Sequence, residues 1–224
     1  VWTTTEWTMM ANQAVRLNPE LDYVLIACQQ PGCLPGRYLV AKSLVGSILS
    51  RWGVKEYQVV GHAKGSQLEL LVLRHPFSDR QVPVILGDHV TTDAGTGCVH
   101  TAPDHGVDDF NVGRTYGIGT LNLVDDNGVF VDAAGEFSGA HVYKVDDQVV
   151  AALEAHGTLV HQAKITHSYA HCWRTKTPLI YRATPQWFIS MSENGLLEQA
   201  LDVVKNVDWH PEWGAARISG MLSS

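Results

Sequence analysis

Two stretches of this chain gather the side chains best suited to chemistry. The first, Trp2-Thr3-Thr4-Thr5-Glu6-Trp7-Thr8, sets Thr hydroxyls between two indoles. The second runs from Gly95-Thr96-Gly97 through Cys98-Val99-His100 and Ala102-Pro103-Asp104-His105-Gly106 to Asp108-Asp109. Clustered Thr hydroxyls are neutral donors and acceptors able to orient a water molecule or a sugar hydroxyl. A Gly-Thr-Gly turn lets backbone approach a ligand closely. Asp108 and Asp109 stand near the start of a predicted helix, where the dipole favours negative charge, so both are expected to stay ionised. An ionised carboxylate in a cleft is a natural partner for an ammonium group. His100 supplies bulk and a ring nitrogen just ahead of the Pro103 turn.

Each feature also has an ordinary structural explanation. Thr-rich segments are usually strands, and an Asp near a helix start is more often a cap than a ligand. A lone Gly-x-Gly is weak evidence, and the Lys-bearing phosphate loop is absent. A metal-dependent hydrolase is a rival, because the chain has 11 His and His167, His171 and Cys172 are spaced to share one helix face. That rival is disfavoured because the segment also carries Ser168 and Tyr169 and lies beside a predicted strand.

The elements that must position these residues are legible in outline. Thr and Trp favour an extended strand over the first eight residues, and Asp22–Ala27 forms a second. Gln29 to Arg37, with Pro31, Gly32, Pro35 and Gly36, reads as an irregular loop or insertion. Ala41, Leu44, Val45, Ile48, Leu49 and Trp52 share one helical face, and Gly53 ends that helix. Strands are predicted over Tyr57–His62, Leu68–His75, Val82–Val90 and Cys98–His100. A helix over about 107–116, strands near Leu121 and Val129, a helix around Val145–Leu153 closed by Gly157, and a strand over Thr158–Ile165 follow. Another strand should follow Arg174, with helices near Gly195–Val204 and Trp213–Leu222. Strands outnumber helices irregularly, which indicates a mixed α+β body rather than a doubly wound parallel sheet.

The 224 residues carry a net charge of −7, with 45% hydrophobic and 17% charged residues. That balance excludes broad phosphate-backbone binding, which requires a basic stripe, so a nucleic acid would be gripped only at its tip. No apolar run is long enough for a membrane span. Cys28, Cys33, Cys98 and Cys172 form no CxxC pair; they suit reduced thiols, although Cys28 and Cys33 could pair in oxidant. The start, Val1-Trp2-Thr3, has no initiator Met or signal core and reads as a cut inside a longer protein.

The two chemical stretches closely resemble signature motifs of the editing domain of isoleucyl-tRNA synthetases. His167-Ser168-Tyr169-Ala170-His171-Cys172-Trp173, Thr184-Pro185-Gln186-Trp187-Phe188 and Trp209-His210-Pro211-Glu212-Trp213-Gly214 resemble further motifs of that family, in the same order. Valyl- and leucyl-tRNA synthetases have related domains that share the Thr-rich and Asp-bearing motifs. The departures are Glu6, Met9-Met10, Ala170 and the longer Gln29–Arg37 loop. Glu6 adds a carboxylate beside the Thr cluster, and an alternating strand would turn it to solvent.

The resemblance implies a largely antiparallel, β-barrel-like core with surrounding helices, one editing domain over 1–224, and a return limb over about 185–224. It implies hydrolysis of valine wrongly attached to the tRNA for isoleucine. A hydrophobic pocket separates those two amino acids by only about 150-fold, a measured property of this same enzyme class, so a second site must remove errors. On the family pattern Asp109 binds the α-ammonium, Trp7 and Tyr169 flank the side chain, and His100 is the wall isoleucine strikes. Thr3, Thr4, Thr5 and Thr8 hold the terminal adenosine and position water, with Gly97 also at the binding surface. The domain would use no cofactor or metal, whereas a parent enzyme would use ATP and Mg, with Zn elsewhere. Its partners would be the tRNA acceptor end and the rest of the synthetase, in a cytoplasmic monomer away from membranes. The HIGH and KMSKS motifs are absent, so amino-acid activation is not expected here. The alternatives are a valyl-type domain clearing threonine and a non-catalytic acceptor-end binding module.

Overall fold

The computed structural model describes residues 1–28 and 36–224. The chain divides after Ala183 into two compact units, Val1–Ala183 and Thr184–Ser224. The larger unit carries every strand among the described residues, in two open sheets. The first sheet has the order β5-β6-β1-β7, formed by β1 (Ala14–Leu17), β5 (Val72–Arg74), β6 (Gln81–Leu86) and β7 (Val99–Thr101). β1 runs parallel to β6 and antiparallel to β7, while β5 and β6 are antiparallel. The second, wholly antiparallel sheet places β2 (Asp22–Cys28) between β3 (Gly36–Ala41) and β4 (Gln58–Lys64). The body is therefore α+β and largely antiparallel, but the expected barrel-like core is not seen. Among the described residues the two sheets stay separate and neither closes on itself.

Two apolar clusters hold the larger unit. In the first, Tyr23 and Ile26 of β2 and Val40 of β3 pack with Ile48 and Leu49 of α1 (Val45–Trp52). α1 has its apolar residues at helical spacing and stops at Gly53, whose φ of 68° few other residues adopt and whose N–H caps the Leu49 carbonyl. In the second, Trp7, Met9 and Met10 meet Phe130, Phe137, Val142 and the buried face of α3 (Asp146–Ala155), including Val149. α2 (Val107–Thr115) follows β7 through the Pro103 turn. The smaller unit contains α4 (Leu196–Lys205) and α5 (Trp213–Ser223).

Several sequence expectations fail for identifiable reasons. The opening residues are not a strand beyond a single bridge from Trp2 to Val99; Glu6–Ala11 forms a 3₁₀ helix instead. The Thr3 hydroxyl accepts the Thr5 N–H at 3.1 Å, and the Thr5 carbonyl accepts the Thr8 N–H at 3.2 Å, so local hydroxyl turns replace ladder bonds. Gly36 and Arg37, read as loop, begin β3, while the rest of that loop, and with it any Cys33 pairing, lies outside the described residues. The runs near Leu121 and Val129 are reduced to the isolated bridges Val124–Phe130 and Val129–His141. Thr158–Ile165 forms no strand, and the strand expected after Arg174 is only a His171–Pro178 bridge.

Gly97 fixes the entry to β7. Its φ is +74°, and a Cβ there would lie 2.5 Å from the Ala41 Cβ. Its carbonyl accepts the Tyr23 hydroxyl at 2.7 Å, which ties β2 of one sheet to the approach of β7 in the other. Gly97→Ala should therefore lose at least about 2 kcal/mol through combined backbone strain and overpacking. Urea denaturation should show a lower midpoint with an unchanged slope.

Candidate active site

Pairing on both sides of β7 brings the two chemical stretches together. On one side β1 lies antiparallel, with Val15 opposite His100 and Arg16 opposite Val99. On the other, Trp2 bridges Val99, and its N–H reaches the Cys98 carbonyl at 3.3 Å. The Thr segment leaves from that bridge and turns over the strand. The result is an open cleft of about 320 Å³. Thr3, Thr4, Thr5, Trp7 and Thr8 line it from the N-terminal segment, and His100 and Asp109 from the second stretch. Tyr169, far along the chain, closes part of it. Of the residues assigned to the site from sequence, Gly97 lies outside the lining, where it shapes the turn before β7 instead, and Asp108, the second candidate carboxylate, lies outside it too.

His100 is buried and neutral. Asn12 Nδ2 sits 2.9 Å from the Ala14 carbonyl and 2.7 Å from His100 Nδ1, so one amide group donates to both acceptors. The opposite amide orientation would face oxygen to oxygen at Ala14, which fixes the assignment. Nδ1 is thus an acceptor, and Nε2–H donates to the Thr8 hydroxyl at 3.0 Å. Thr8 Oγ1 passes its own proton to the Thr5 carbonyl at 2.8 Å. Burial, with smaller contributions from His105, His75 and Arg16, lowers the His100 pKa to about 3. With both nitrogens occupied and no charge, His100 presents shape and polarity rather than a proton-accepting site.

Among the described residues, Asp109 is the one carboxylate lining the cleft. It sits in the first turn of α2, where Oδ2 accepts the Ala102 N–H at 2.9 Å and Oδ1 lies 3.1 Å from Arg16 Nη1. Burial raises its pKa, against the pull of the Ala102 amide, Arg16 and His89. Asp108, its neighbour, is exposed and does not line the cleft.

Sequence reasoning missed Trp2, Val99, Ala102, His105 and Tyr181 as lining residues. His105 lies inside the quoted Ala-Pro-Asp-His-Gly stretch and could have been found there. Its Nδ1–H donates to the Tyr181 carbonyl at 2.9 Å, and its ring meets Trp7 edge-on with centroids 4.7 Å apart. Burial lowers its pKa too. Tyr181 carried no local signal, since its place depends on that contact. The Tyr169 hydroxyl donates to the Leu179 carbonyl at 3.0 Å, which holds its ring at the cleft. The His167–Cys172 segment is not helical, so its metal-ligand spacing never forms a common face. Among the described residues, no three His, Cys, Asp or Glu side chains are grouped as a ligand set.

Fold, site and comparison converge on one class. The family of class I tRNA synthetases (I, L, M and V) matches over residues 2–224, and the chain belongs to it. Among its relatives, the isoleucine–tRNA ligase of Marinomonas sp. strain MWYL1 is 59% identical over 100% of this chain and 24% of that protein. The isoleucine–tRNA ligase of Teredinibacter turnerae is 58% identical over 100% of this chain and 23% of that protein. The chain thus spans about a quarter of the length of these relatives. The crystal structure of GlLeuRS-CP1 shares the fold, with a TM-score of 0.57 at 15% identity, covering 72% of this chain and 83% of that one. No helix among the described residues is long and apolar enough to cross a membrane.

His100 has a consequence for acid stability. Its folded pKa lies below its unfolded value, so the unfolded chain binds more protons between about pH 6.5 and 3. Stability from this group is fully present above about pH 6.5 and is lost as pH falls towards 3. His75 and His105, also lowered by burial, act with the same sign. Urea unfolding at pH 7 and pH 4.5 should show a smaller acid loss in His100→Gln than in the native chain. An equal loss would remove His100 from the acid response.

Proposed function

We propose that this chain is the editing unit of an isoleucine–tRNA ligase and hydrolyses the ester joining misattached valine to the terminal ribose of the isoleucine tRNA. One observation carries the reading: a single carboxylate, Asp109, faces an enclosure walled by Trp7, Tyr169 and a neutral His100, beside the hydroxyls of Thr3, Thr4 and Thr5. A free α-ammonium seeks the carboxylate, an aliphatic side chain seeks the aromatic walls, and a ribose seeks the hydroxyls. The high identity to isoleucine–tRNA ligases supports the amino-acid class, and the shared fold with GlLeuRS-CP1 supports the unit.

The chemistry asks little of the protein. An aminoacyl ester is already activated, so orienting it and a water molecule with neutral donors supplies much of the rate. Both His100 nitrogens are occupied, so His100 does not take the proton of the attacking water; a ribose hydroxyl of the substrate can instead relay that proton to the departing ribose oxygen as the ester C–O bond breaks. No cofactor is required at this step; ATP, Mg and Zn belong to reactions elsewhere in the parent enzyme. With a net charge of −7, this unit grips only the acceptor end, and the remaining synthetase holds the body of the tRNA. Residues 184–224 then serve as the limb returning to that body, in a monomeric cytoplasmic enzyme.

Deacylation of valyl-, threonyl- and isoleucyl-esters of the same tRNA tests the assignment. Valine should be released and isoleucine spared; preferential release of threonine would reassign the unit to the valyl type. Binding without release would make it an acceptor-end module. Asp109→Ala should lose valyl-ester hydrolysis by about 10²-fold or more as the ammonium partner disappears; retained activity removes Asp109 from the site. His100→Ala should widen the cleft and admit the isoleucyl ester. Continued sparing of isoleucine by that variant would show that the wall lies elsewhere.

A further inference from the structure

We propose that Arg16 is the positioning residue of the amino-acid site, fixing the orientation and charge of the Asp109 carboxylate from behind the cleft. The inference rests on the reading of Asp109 as the ammonium partner and adds a residue that the two chemical stretches do not contain. Arg16 belongs to β1, an interior strand whose four residues are all buried. Its side chain is 6% exposed and its Nη1 lies 3.1 Å from Asp109 Oδ1. Space for its stem is built into the fold: a Cβ on Gly87 would lie 2.7 Å from Arg16 Cδ. The Gly87 N–H in turn bonds the Leu17 carbonyl at 2.9 Å, which holds that gap beside β1.

The carboxylate is held twice. Oδ1 faces Arg16 from β1, and Oδ2 takes the Ala102 N–H just beyond β7. A carboxylate offers about four lone-pair sites, so one amide hydrogen bond and one ion-pair contact set its orientation and leave directions open for an incoming ammonium. Arg16 Nε and Nη1 make no well-formed hydrogen bond, so Asp109 is the charge that compensates this guanidinium. Buried pairs of this kind add little net stability, because desolvation offsets attraction. Their value lies in orientation, and here the oriented group opens onto the cleft. Among the described residues, His89 after β6 also acts on Asp109, His100 on β7 and His105 before α2 share its cleft, and Asp108 is its sequence neighbour. Burial raises the Asp109 pKa, and Arg16, together with the Ala102 amide and His89, pulls it down.

Two measurements on this full chain test the assignment: carboxyl-carbon NMR titration of Asp109 without substrate, and the pH profile of valyl-adenosine ester hydrolysis. Arg16→Met should raise the Asp109 midpoint by about one pH unit or more, and the acid limb of hydrolysis should move with it. Arg16→Lys keeps the charge but loses the planar fork, so the midpoint should stay near native while the plateau rate falls about tenfold or more. It also carries the test if the Met variant does not fold. A midpoint unmoved in Arg16→Met, or a native plateau in Arg16→Lys, overturns the proposal. A native chain that leaves the ester intact would instead sink the hydrolase reading, with the titration still deciding the Asp109–Arg16 link.

Discussion

The cleft depends on the register of β1 against β7. Ala14 faces Thr101, Val15 faces His100 and Arg16 faces Val99. That alignment brings Asn12, just ahead of β1, within 2.7 Å of His100 Nδ1, and Arg16 within 3.1 Å of Asp109, just beyond β7. A slip of one residue would send each side chain to the opposite face and undo both contacts together. Each contact also penalises such a slip, because a buried imidazole or guanidinium left without its partner costs about 1–3 kcal/mol or more. Register and site therefore stabilise one another.

Charge is distributed with the same economy. Burial keeps His75, His100 and His105 deprotonated near neutral pH, each with a ring nitrogen directed to a backbone or side-chain partner. A cationic imidazole in the cleft would repel an ammonium ligand and compete for Asp109. With the imidazoles neutral, the carboxylate remains the dominant negative feature of the lining, and Arg16 sits behind it. The hydroxyl chain from His100 through Thr8 to the Thr5 carbonyl carries no net charge. It holds a buried polar residue in one orientation at the cleft surface.

Much of this was legible in the residues, and the gaps have physical causes. α1 and α3 announce themselves through apolar residues at helical spacing and terminal glycines at Gly53 and Gly157, because a helix is specified within its own segment. Sheets are not. Thr158–Ile165 has the composition of a strand but finds no neighbouring ladder, while Ala14–Leu17 was passed over and became the interior strand on which the cleft is built. The Thr-rich opening failed differently, since Thr hydroxyls that favour strands in the abstract here bond their own backbone and wind the chain into a 3₁₀ turn. The cleft residues within the two stretches were visible as residue types. Tyr181 and Arg16 were not, because what matters about each is a contact made by long-range packing.

Glu6 shows how local chemistry can mislead about charge even when the segment is rightly chosen. In a strand it would alternate to solvent; beside a Thr cluster it would add a second negative group to an ammonium site. The 3₁₀ turn does neither. It places Trp7 and Thr8 on the cleft and leaves Glu6 half-buried and outside the lining, in the direction of α3. There its charge is felt by Asp146 at the helix start, whose pKa is raised mainly by burial and then by Glu6 and Asp147. The α3 N-terminal dipole, which favours negative charge in its first turn, acts against that repulsion. The turn thus separates the two carboxylates: Glu6 lies toward the start of α3, and Asp109 is the one acid among the described residues that lines the cleft.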